Sequence, residues 1–306
     1  MDPHIQIAIN QNKISHFESK LNDYDQLEVF KYLSVVELIR VQRVSRQLQQ
    51  ASERSFRSRQ FLTNQTLDNK RFENERQFKN VMSRFGERLE YLDLNVFDSK
   101  FTFINVAICE PDVANHIKNV RIPKDWNCTL VTLGLLIRWS PNLEHLSLRL
   151  DDGLLLEPIK KLKCLKSLEI IHFNTSYCVH RLLRNFESYM KTVGHRLRSL
   201  SVWLDFDKYS DWNEPGSTIG FDEFYEGLTY SIANYCQNLI YLKLYRPELR
   251  LNASFAWLRT LKHLETLEVT FENDANIGKV LNAVPWLQKL EYSLRGDTTV
   301  IKRQLY

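Results

Sequence analysis

Four residues in the middle of the sequence carry side chains that could bind a metal ion, namely Cys164, His172, Cys178 and His180. Thiolate and imidazole groups are the usual zinc ligands in proteins. The spacing, C-x7-H-x5-C-x-H, matches no common zinc module. A cysteine placed like Cys164, just ahead of an apolar strand, is typical of a small buried thiol. We therefore expect no metal site here.

The same residues do not suggest catalysis. Cys178 and His180 are unsuited as nucleophile and base, because residues two apart on a helix do not face each other. The sequence contains no P-loop, no Gly-x-Ser-x-Gly and no His-Glu-x-x-His motif. We expect a protein that has no catalytic residues and no cofactor, and that is not an enzyme.

The composition is typical of a folded protein in water, with 43% hydrophobic and 25% charged residues over 306 positions. No apolar run approaches the roughly 18 residues of a membrane span. The first residues, MDPHIQIAINQNK, lack the regions of a signal peptide. Five scattered cysteines argue against a disulfide framework. We expect a small and a larger domain, located in the cytoplasm or nucleus, with no membrane partner.

Charge is distributed unevenly, although the net charge is only +4. Residues 38–62 contain six arginines and one acid, whereas residues 205–226 contain seven acids and one lysine. Opposite charges on separate segments favour separate partners, and ordinary solvated faces are the alternative. Basic and aromatic residues do not interleave along any stretch, which disfavours a nucleic-acid partner.

Residues 21–62 predict three short helices. Apolar residues at three-residue steps mark the first, a Ser34–Glu37 capping box starts the second, and Leu48 with Ala51 marks the third. Helices this short bury little surface, so the unit is expected to lean on a partner or on the rest of the chain.

This run resembles an F-box. The matching residues are Leu21, Leu27, Val29, Phe30, Tyr32, Leu33, Ser34, Glu37, Leu38, Arg40, Val44, Ser45 and Arg46. It departs from the family at Asn22, which replaces a proline, at Asp25 and Gln26, which replace apolar residues, and at Leu48, which replaces a tryptophan. The resemblance implies binding to a Skp-type adaptor. The adaptor contacts it implies are Leu21, Leu27, Val29, Phe30, Leu33, Leu38, Val41 and Val44. The alternative is a helical cap for the rest of the chain.

A second pattern occupies the remainder of the chain. Eight segments fit Leu/Ile-x-x-Leu/Val-x-apolar, and most of their first residues lie 22 to 32 residues apart, with one interval of 42. Those first residues are Leu89, Ile117, Leu143, Leu165, Leu197, Leu239, Leu264 and Leu287. Most intervals lie in or near the roughly 20–29 residue period of leucine-rich repeats. Each segment predicts a short strand that buries its apolar face by stacking.

Amphipathic patterns between the strands predict helices. Phe186, Tyr189, Met190 and Val193 share one face ahead of Gly194, which we expect to end the helix in a left-handed conformation. Phe72, Phe78, Met82, Phe85 and Gly86 repeat the arrangement. The fold class predicted is therefore α/β: a short helical module followed by an irregular leucine-rich-repeat solenoid with parallel strands backed by helices.

Together, residues 21–294 resemble F-box proteins with leucine-rich repeats. The implied domains are an N-terminal extension (1–20), the F-box-like module (21–62), a helical linker (63–88), the repeats (89–294) and a tail (295–306). The resemblance implies a substrate receptor of an SCF-type ubiquitin ligase, which reaches a cullin and a RING subunit through the adaptor and captures an unknown protein on the repeats. The alternative is a repeat scaffold that engages no ligase.

Residues two, four and six places after each first Leu or Ile should point away from the core. Among them, the types that dominate binding hot spots are candidate substrate contacts. These are Tyr91, Arg121, His145, Arg149, Trp203, Tyr241, Lys243 and Tyr245. Trp203, Tyr241 and Tyr245 are expected to form one aromatic patch, and simple shielding of the sheet is the alternative. An acidic, aromatic loop at residues 205–216 could favour a basic ligand, or could be a solvated insertion.

Overall fold

A computed structural model describes residues 22–33, 35–57, 61–62, 90–93, 116–122, 129–150, 153–173, 179–203, 221–245, 255–271, 275–294 and 297–302. The chain forms two compact units, Met1–Ile117 and Lys118–Tyr306. Several predicted features lie outside the described residues, namely the N-terminal extension, the linker at 63–88, the acidic, aromatic loop at 205–216, Leu21 and Ser34. The first predicted repeat, which begins at Leu89, falls in the first unit.

The first unit begins with three helices, α1 (Asp23–Phe30), α2 (Val35–Gln42) and α3 (Arg46–Arg57). Polar side chains cap two of them. The Asn22 side-chain oxygen accepts the Asp25 N–H at 2.9 Å, and the Ser45 hydroxyl accepts the Leu48 N–H at 3.2 Å. Asn22, a departure from the family pattern, is therefore an N-cap.

Helix α3 packs against both α1 and α2. The apolar residues buried among the three helices are Phe30, Leu38, Ile39, Leu48 and Ala51. Two short strands follow in the same unit, β1 (Phe61–Leu62) and β2 (Tyr91–Asp93), and they pair in parallel. Neither the existence nor the position of β1 follows from the leucine spacing.

The second unit is built on strands that neighbour one another in chain order. They are β3 (Asn119–Arg121), β4 (His145–Leu150), β5 (Ser167–Phe173), β6 (Ser199–Trp203), β7 (Tyr241–Tyr245), β8 (Thr266–Phe271), β9 (Lys289–Leu294) and β10 (Asp297–Lys302). Strands β3 to β9 are parallel, and β10 is antiparallel to β9. This is the leucine-rich-repeat architecture that the sequence predicts.

One register of leucines crosses this sheet. The second leucine or valine of each repeat pairs with its counterpart in the next repeat, in the order Val120, Leu146, Leu168, Leu200, Leu242, Leu267 and Leu290. All seven are at most 2% exposed. Because side chains alternate along a strand, the residues directly before and after each of these seven lie on the opposite, open face of the sheet.

Helices occupy the intervals between strands, as predicted. They are α4 (Leu130–Trp139), α5 (Leu156–Ile159), α6 (Val179–Val193), α7 (Phe221–Tyr235) and α8 (Ala275–Ala283), with 3-10 turns at Gly153–Leu155, Gly194–Arg196 and Ala256–Thr260. None of the helices that the structure describes has the length and apolarity needed to cross a bilayer.

Gly194 ends α6 for a reason other than the predicted one. Its backbone is not in the left-handed region, and it begins the 3-10 turn Gly194–Arg196. A Cβ added at this position would lie 2.7 Å from the Tyr235 carbonyl oxygen and 2.8 Å from Cys236 Sγ. Glycine is required because α6 and the end of α7 approach closely here.

The predicted tail, residues 295–306, contains β10. Thr298 pairs with Ser293 and Val300 with Glu291 in the antiparallel ladder of β9 and β10. The leucine pattern stops at Tyr292, so this strand could not be read from it. An added antiparallel strand covers the edge that the last parallel strand would otherwise expose.

Candidate functional site

The three-helix unit exposes large apolar side chains. Val29 and Val44, two of the implied adaptor contacts, are 42% and 44% exposed. Tyr24 and Tyr32, which were not among the implied contacts, are 69% and 84% exposed. A helix that leaves such residues in water has apolar surface available for a partner.

The other implied adaptor contacts lie deeper. Leu27, Leu33 and Val41 are half-buried. Phe30 and Leu38 are buried inside the unit, so they hold the helices together rather than present themselves to a partner. Tyr32 belongs to the F-box match, and its side-chain type was the signal that could have added it to the contact set.

On the open face of the second unit, two predicted residues form a shelf. Trp203 ends β6 and Tyr245 ends β7, and the two are paired in the parallel register. Their ring centroids lie 4.2 Å apart at an interplanar angle of 44°. Trp203 remains 43% exposed. An exposed aromatic pair of this kind offers a rigid apolar surface at small cost in side-chain entropy.

Tyr241 and Lys243 lie on the same strand as Tyr245 and contact a carboxylate of the next strand. Lys243 Nζ is 2.8 Å from Glu268 Oε2, and Tyr241 also hydrogen-bonds to Glu268. Burial raises the pKa of Glu268, but the hydrogen bonds from Lys243 and Tyr241 outweigh burial and hold the pKa below its usual value. Burial, the hydrogen bond to Glu268 and nearby carboxylates raise the pKa of Tyr241 well above its usual value.

Sequence reasoning missed three glutamates on this face. Glu169, Glu268 and Glu291 each lie four places after the first leucine of their repeat. Glu268 and Glu291 are paired across β8 and β9, and Ser201 and Lys243 occupy the register positions between Glu169 and Glu268. Glu291 accepts from Lys289 at 2.8 Å, whereas Glu169 forms no ion pair with a described residue. Counting two, four and six places after the first leucine gives these positions, but glutamate is not among the residue types common in binding hot spots, so they were not chosen as candidates.

The remaining predicted contacts do not join the shelf. His145 begins β4, and Arg149 follows a register shift that pairs it with His172 of β5. Arg121 ends β3, and Tyr91 belongs to the first unit. Strands lie about 4.8 Å apart, so β4 is roughly 10 Å from β6. Burial is the main cause that lowers the pKa of His145, and the carboxylate of Glu144 opposes this effect.

The structure describes only part of the cysteine and histidine set that the sequence singles out. Cys164 is exposed, and Cys178 together with the side chains of His172 and His180 lies outside the described part. Burial raises the pKa of the Cys236 thiol to about 12, so this cysteine is not a thiolate nucleophile at neutral pH. No group of three His, Cys, Asp or Glu side chains that could hold a metal converges among the described residues.

Comparisons with known proteins agree with the fold and go no further. No protein-family model matches this chain, and no curated protein does. The leucine-rich repeat-containing protein LegL7 from Legionella pneumophila is similar in structure, with 14% identity and a TM-score of 0.43, over 74% of this chain and 72% of that one. An internalin (inlF) from Listeria monocytogenes is similar with 13% identity and a TM-score of 0.38, over 74% of this chain and 54% of that one.

A structure of the Rad7 and Elc1 complex in yeast is also similar, with 16% identity and a TM-score of 0.40, over 95% of this chain and 58% of the other. This chain thus spans little more than half the length of the internalin and of the matched yeast chain. At these identities and scores, the resemblance is one of fold alone.

Proposed function

We propose that this chain is a substrate receptor of an SCF-type ubiquitin ligase. The three helices α1–α3 bind a Skp-type adaptor, through which a cullin and a RING subunit are recruited, and the repeat unit binds a target protein. The ligation chemistry belongs to the recruited enzymes, and this chain contributes proximity and orientation. Such a receptor acts in the cytoplasm, the nucleus or both.

The observation that carries the proposal is the apolar surface of the three-helix unit. Tyr24 and Val29 are exposed on α1, and Tyr32 and Val44 are exposed on the turns that follow α1 and α2. Helices this short are not stable by their own packing. Exposed Arg40, Arg43 and Arg46 lie near Val44 in sequence. Aromatic and aliphatic anchors with arginine beside them are typical of protein-binding surfaces.

Target binding is assigned to the open face of the repeat sheet. The shelf of Trp203 and Tyr245 supplies apolar contact, and the carboxylate of Glu169 on the neighbouring strand β5 favours a cationic side chain. The carboxylate of Glu169 is half-buried and forms no ion pair with a described residue, whereas Glu268 and Glu291 are paired with Lys243 and Lys289. We therefore expect a target segment that carries both apolar and basic side chains.

The test is recovery of the adaptor with the purified full-length chain. The wild-type chain should bring a Skp-type adaptor and a cullin from cells, and Tyr32→Asp and Val44→Asp should each reduce that recovery at least roughly tenfold, because a charge in an apolar interface is left unpaired. Both side chains are exposed, so neither change disturbs the packing of the helices.

Tyr230→Asp is the matched control, because Tyr230 is 61% exposed on α7 of the other unit. It should leave adaptor recovery unchanged. If no adaptor or cullin accompanies the wild-type chain, or if Tyr32→Asp and Val44→Asp recover as much as wild type, the ligase assignment fails. The chain would then be a repeat scaffold that binds its partner without a ligase.

A further inference from the structure

A cavity of about 620 Å³ lies at the amino ends of strands β6 to β9. It is separate from the aromatic shelf, because Trp203 and Tyr245 are the last residues of β6 and β7 and lie at the opposite, carboxyl ends of these strands. From Arg198 to Trp203 an extended strand covers roughly 16 Å. The side chains that give the cavity its chemistry are His195, Arg196, Arg198, Lys262, His263 and Trp286.

The register of the repeats brings these residues together. The residue after the first leucine of each repeat donates its N–H to the same residue of the repeat before. Ile240 donates to the Arg198 carbonyl at 2.8 Å, and Glu265 donates to the Ile240 carbonyl at 2.9 Å. Gln288 likewise donates to the Glu265 carbonyl at 2.9 Å, so residues from four successive repeats line one rim although they are far apart in the sequence.

The charge of the cavity is positive. Arg196, Arg198 and Lys262 line it, and Glu265 is the single carboxylate among its lining residues. Neither Arg198 nor Lys262 forms an ion pair with a described residue. The neighbours of Arg198 on the backbone ladder are Lys166 and Ile240, which offer it no carboxylate.

The walls of the cavity are held in place by hydrogen bonds. Arg196 Nη1 donates to the Lys163 carbonyl at 3.0 Å, and Asn238 donates its side-chain N–H to the His195 carbonyl at 2.7 Å. The Trp286 indole N–H donates to the Leu261 carbonyl at 3.2 Å. Lys262 Nζ lies 4.7 Å from the centroid of the Trp286 ring, so the ammonium is positioned without a carboxylate partner.

We propose that this pocket binds an oxyanion, carboxylate or phosphate, carried by an acidic segment of a partner protein. Fixed guanidinium and ammonium groups in a recess are the groups that recognise such anions. The proposal does not depend on the adaptor, since every residue of the pocket belongs to the repeat unit. The acidic run at residues 205–226 follows the opposite end of β6.

The shape of the positive region favours a protein segment over a nucleic acid. On one side of the pocket, the ladder reaches the neutral Gln288, which is itself a lining residue. On the other side it reaches Lys166, whose ammonium is already paired with Glu144 at 2.7 Å. The cations thus form a single recess, whereas a nucleic-acid backbone needs a track of them.

The experiment measures binding of labelled peptides to the purified full-length chain, with no adaptor present, by fluorescence anisotropy. One peptide alternates Glu with Ala, a second has phosphoserine in place of one Glu, and a third alternates Lys with Ala. The first two should bind and the third should not. The stronger of the first two identifies the source of the oxyanion. Arg198→Glu and Lys262→Glu should each weaken binding at least roughly tenfold.

Lys191→Glu is the control of equal charge change, because Lys191 is exposed on α6 and does not line the pocket. It should weaken binding less than about twofold. Arg198→Lys, which keeps the charge, should retain most of the affinity, and thermal unfolding of each variant checks that the repeats remain folded. Since the assay contains no adaptor, failure of the ligase assignment would not affect it.

Several outcomes would overturn the proposal. One is equal binding by wild type and by folded Arg198→Glu and Lys262→Glu chains. Another is a loss of the same size in Lys191→Glu, which would mean a general charge effect. Tighter binding of a single-stranded oligonucleotide than of either acidic peptide would assign the surface to nucleic acid. Binding of inorganic phosphate as tight as that of the peptides would exclude a contribution from the protein segment.

Discussion

The repeat unit and the three-helix unit bury their apolar residues to very different extents. In the repeats, the leucine ladder from Val120 to Leu290 is at most 2% exposed, and each strand is covered by its neighbours. In the helical unit, Leu38 is fully buried, yet Tyr24 and Tyr32 are left mostly in water. Stacking lets a repeat bury its apolar face within the chain. Three short helices leave part of theirs for another molecule.

The largest effect tests the buried side of this comparison. Leu242 lies on β7 at the centre of the ladder, between Leu200 and Leu267. Leu242→Ala should lower the free energy of unfolding by about 2–5 kcal/mol, because it leaves a cavity that the neighbouring side chains cannot fully fill. Leu200→Ala and Leu244→Ala should act similarly. Urea unfolding followed by circular dichroism measures the loss, and a loss under 1 kcal/mol in all three would contradict a packed ladder.

The position of Gly194 tests how closely the repeats stack. Gly194→Ala should destabilise the repeat unit by about 1–3 kcal/mol, since the added Cβ meets the Tyr235 backbone, which cannot move like a flexible side chain. Gly278→Ala on α8 is the control, because nothing lies within 4 Å of its added Cβ. Alanine there should instead stabilise by about 0.5–1 kcal/mol through helix propensity. Equal melting temperatures for the two variants would count against the close contact.

Much of the buried side of this comparison could be predicted from the sequence. Leucine spacing predicts β2 to β9 because the apolar positions of the motif are core positions with period two. It does not predict β1 or β10, which pair with a neighbour without carrying the motif. Hydropathy also misplaces Gln26, which is polar yet fully buried in the helical unit. Local pattern predicts repetition well and predicts individual tertiary contacts poorly.

The candidate sites were predicted less completely, for a physical reason. Trp203, Tyr241 and Tyr245 follow from counting places after the first leucine, because that count fixes the face of the strand. Glu169, Glu268 and Glu291 were accessible to the same count. The cavity at the strand amino ends was not, because Arg198, Lys262 and Trp286 meet only through the ladder that aligns successive repeats. The intervals between repeats vary, so the sequence gives no single offset that relates these three residues.

The exposed aromatic residues of the repeat unit are expected to affect target binding, whereas its buried leucines affect stability. Trp203→Ala and Tyr245→Ala should each weaken target binding by roughly 1–3 kcal/mol, and neither should melt like Leu242→Ala. The two rings contact each other, with centroids 4.2 Å apart, so the double variant should lose less affinity than the two single losses added together. Calorimetry on the target, once identified, gives the binding terms.

Either of two results would remove the shelf from the target-binding surface. Early melting of both single variants would make these aromatics core residues. Normal melting with unchanged target affinity would leave them as simple cover for the sheet. Tyr241 is a less clean probe, because truncating it also removes a hydrogen bond to Glu268.

The smallest expected effect is the loss of folding stability at low pH, when the carboxylates of the ion pairs on the surface of the repeats are protonated. The pKa of Glu268 is lowered in the folded chain, so its ionised form stabilises the fold. That contribution is complete above the ordinary carboxyl value of 4.5 and is lost as the pH falls through the folded value. Glu268→Gln should cost about 0.2–1 kcal/mol at pH 7, a range set by the solvent screening of such pairs.

The pH dependence of the loss distinguishes this pair from a purely steric effect. Below the folded pKa of Glu268, wild type and Glu268→Gln should converge in stability, because both then carry a neutral group beside Lys243. Glu144→Gln is the matched comparison: the hydrogen bond from Lys166 is the main cause that lowers the pKa of Glu144, but that pair is more exposed than Lys243 and Glu268. Its loss should therefore be smaller. A difference in stability between wild type and Glu268→Gln that stays constant from pH 7 into the acid range would show that the ion pair contributes nothing. In its ion pairs, the open face would then resemble the helical unit, where the pair of Arg54 and Asp23 is exposed to solvent.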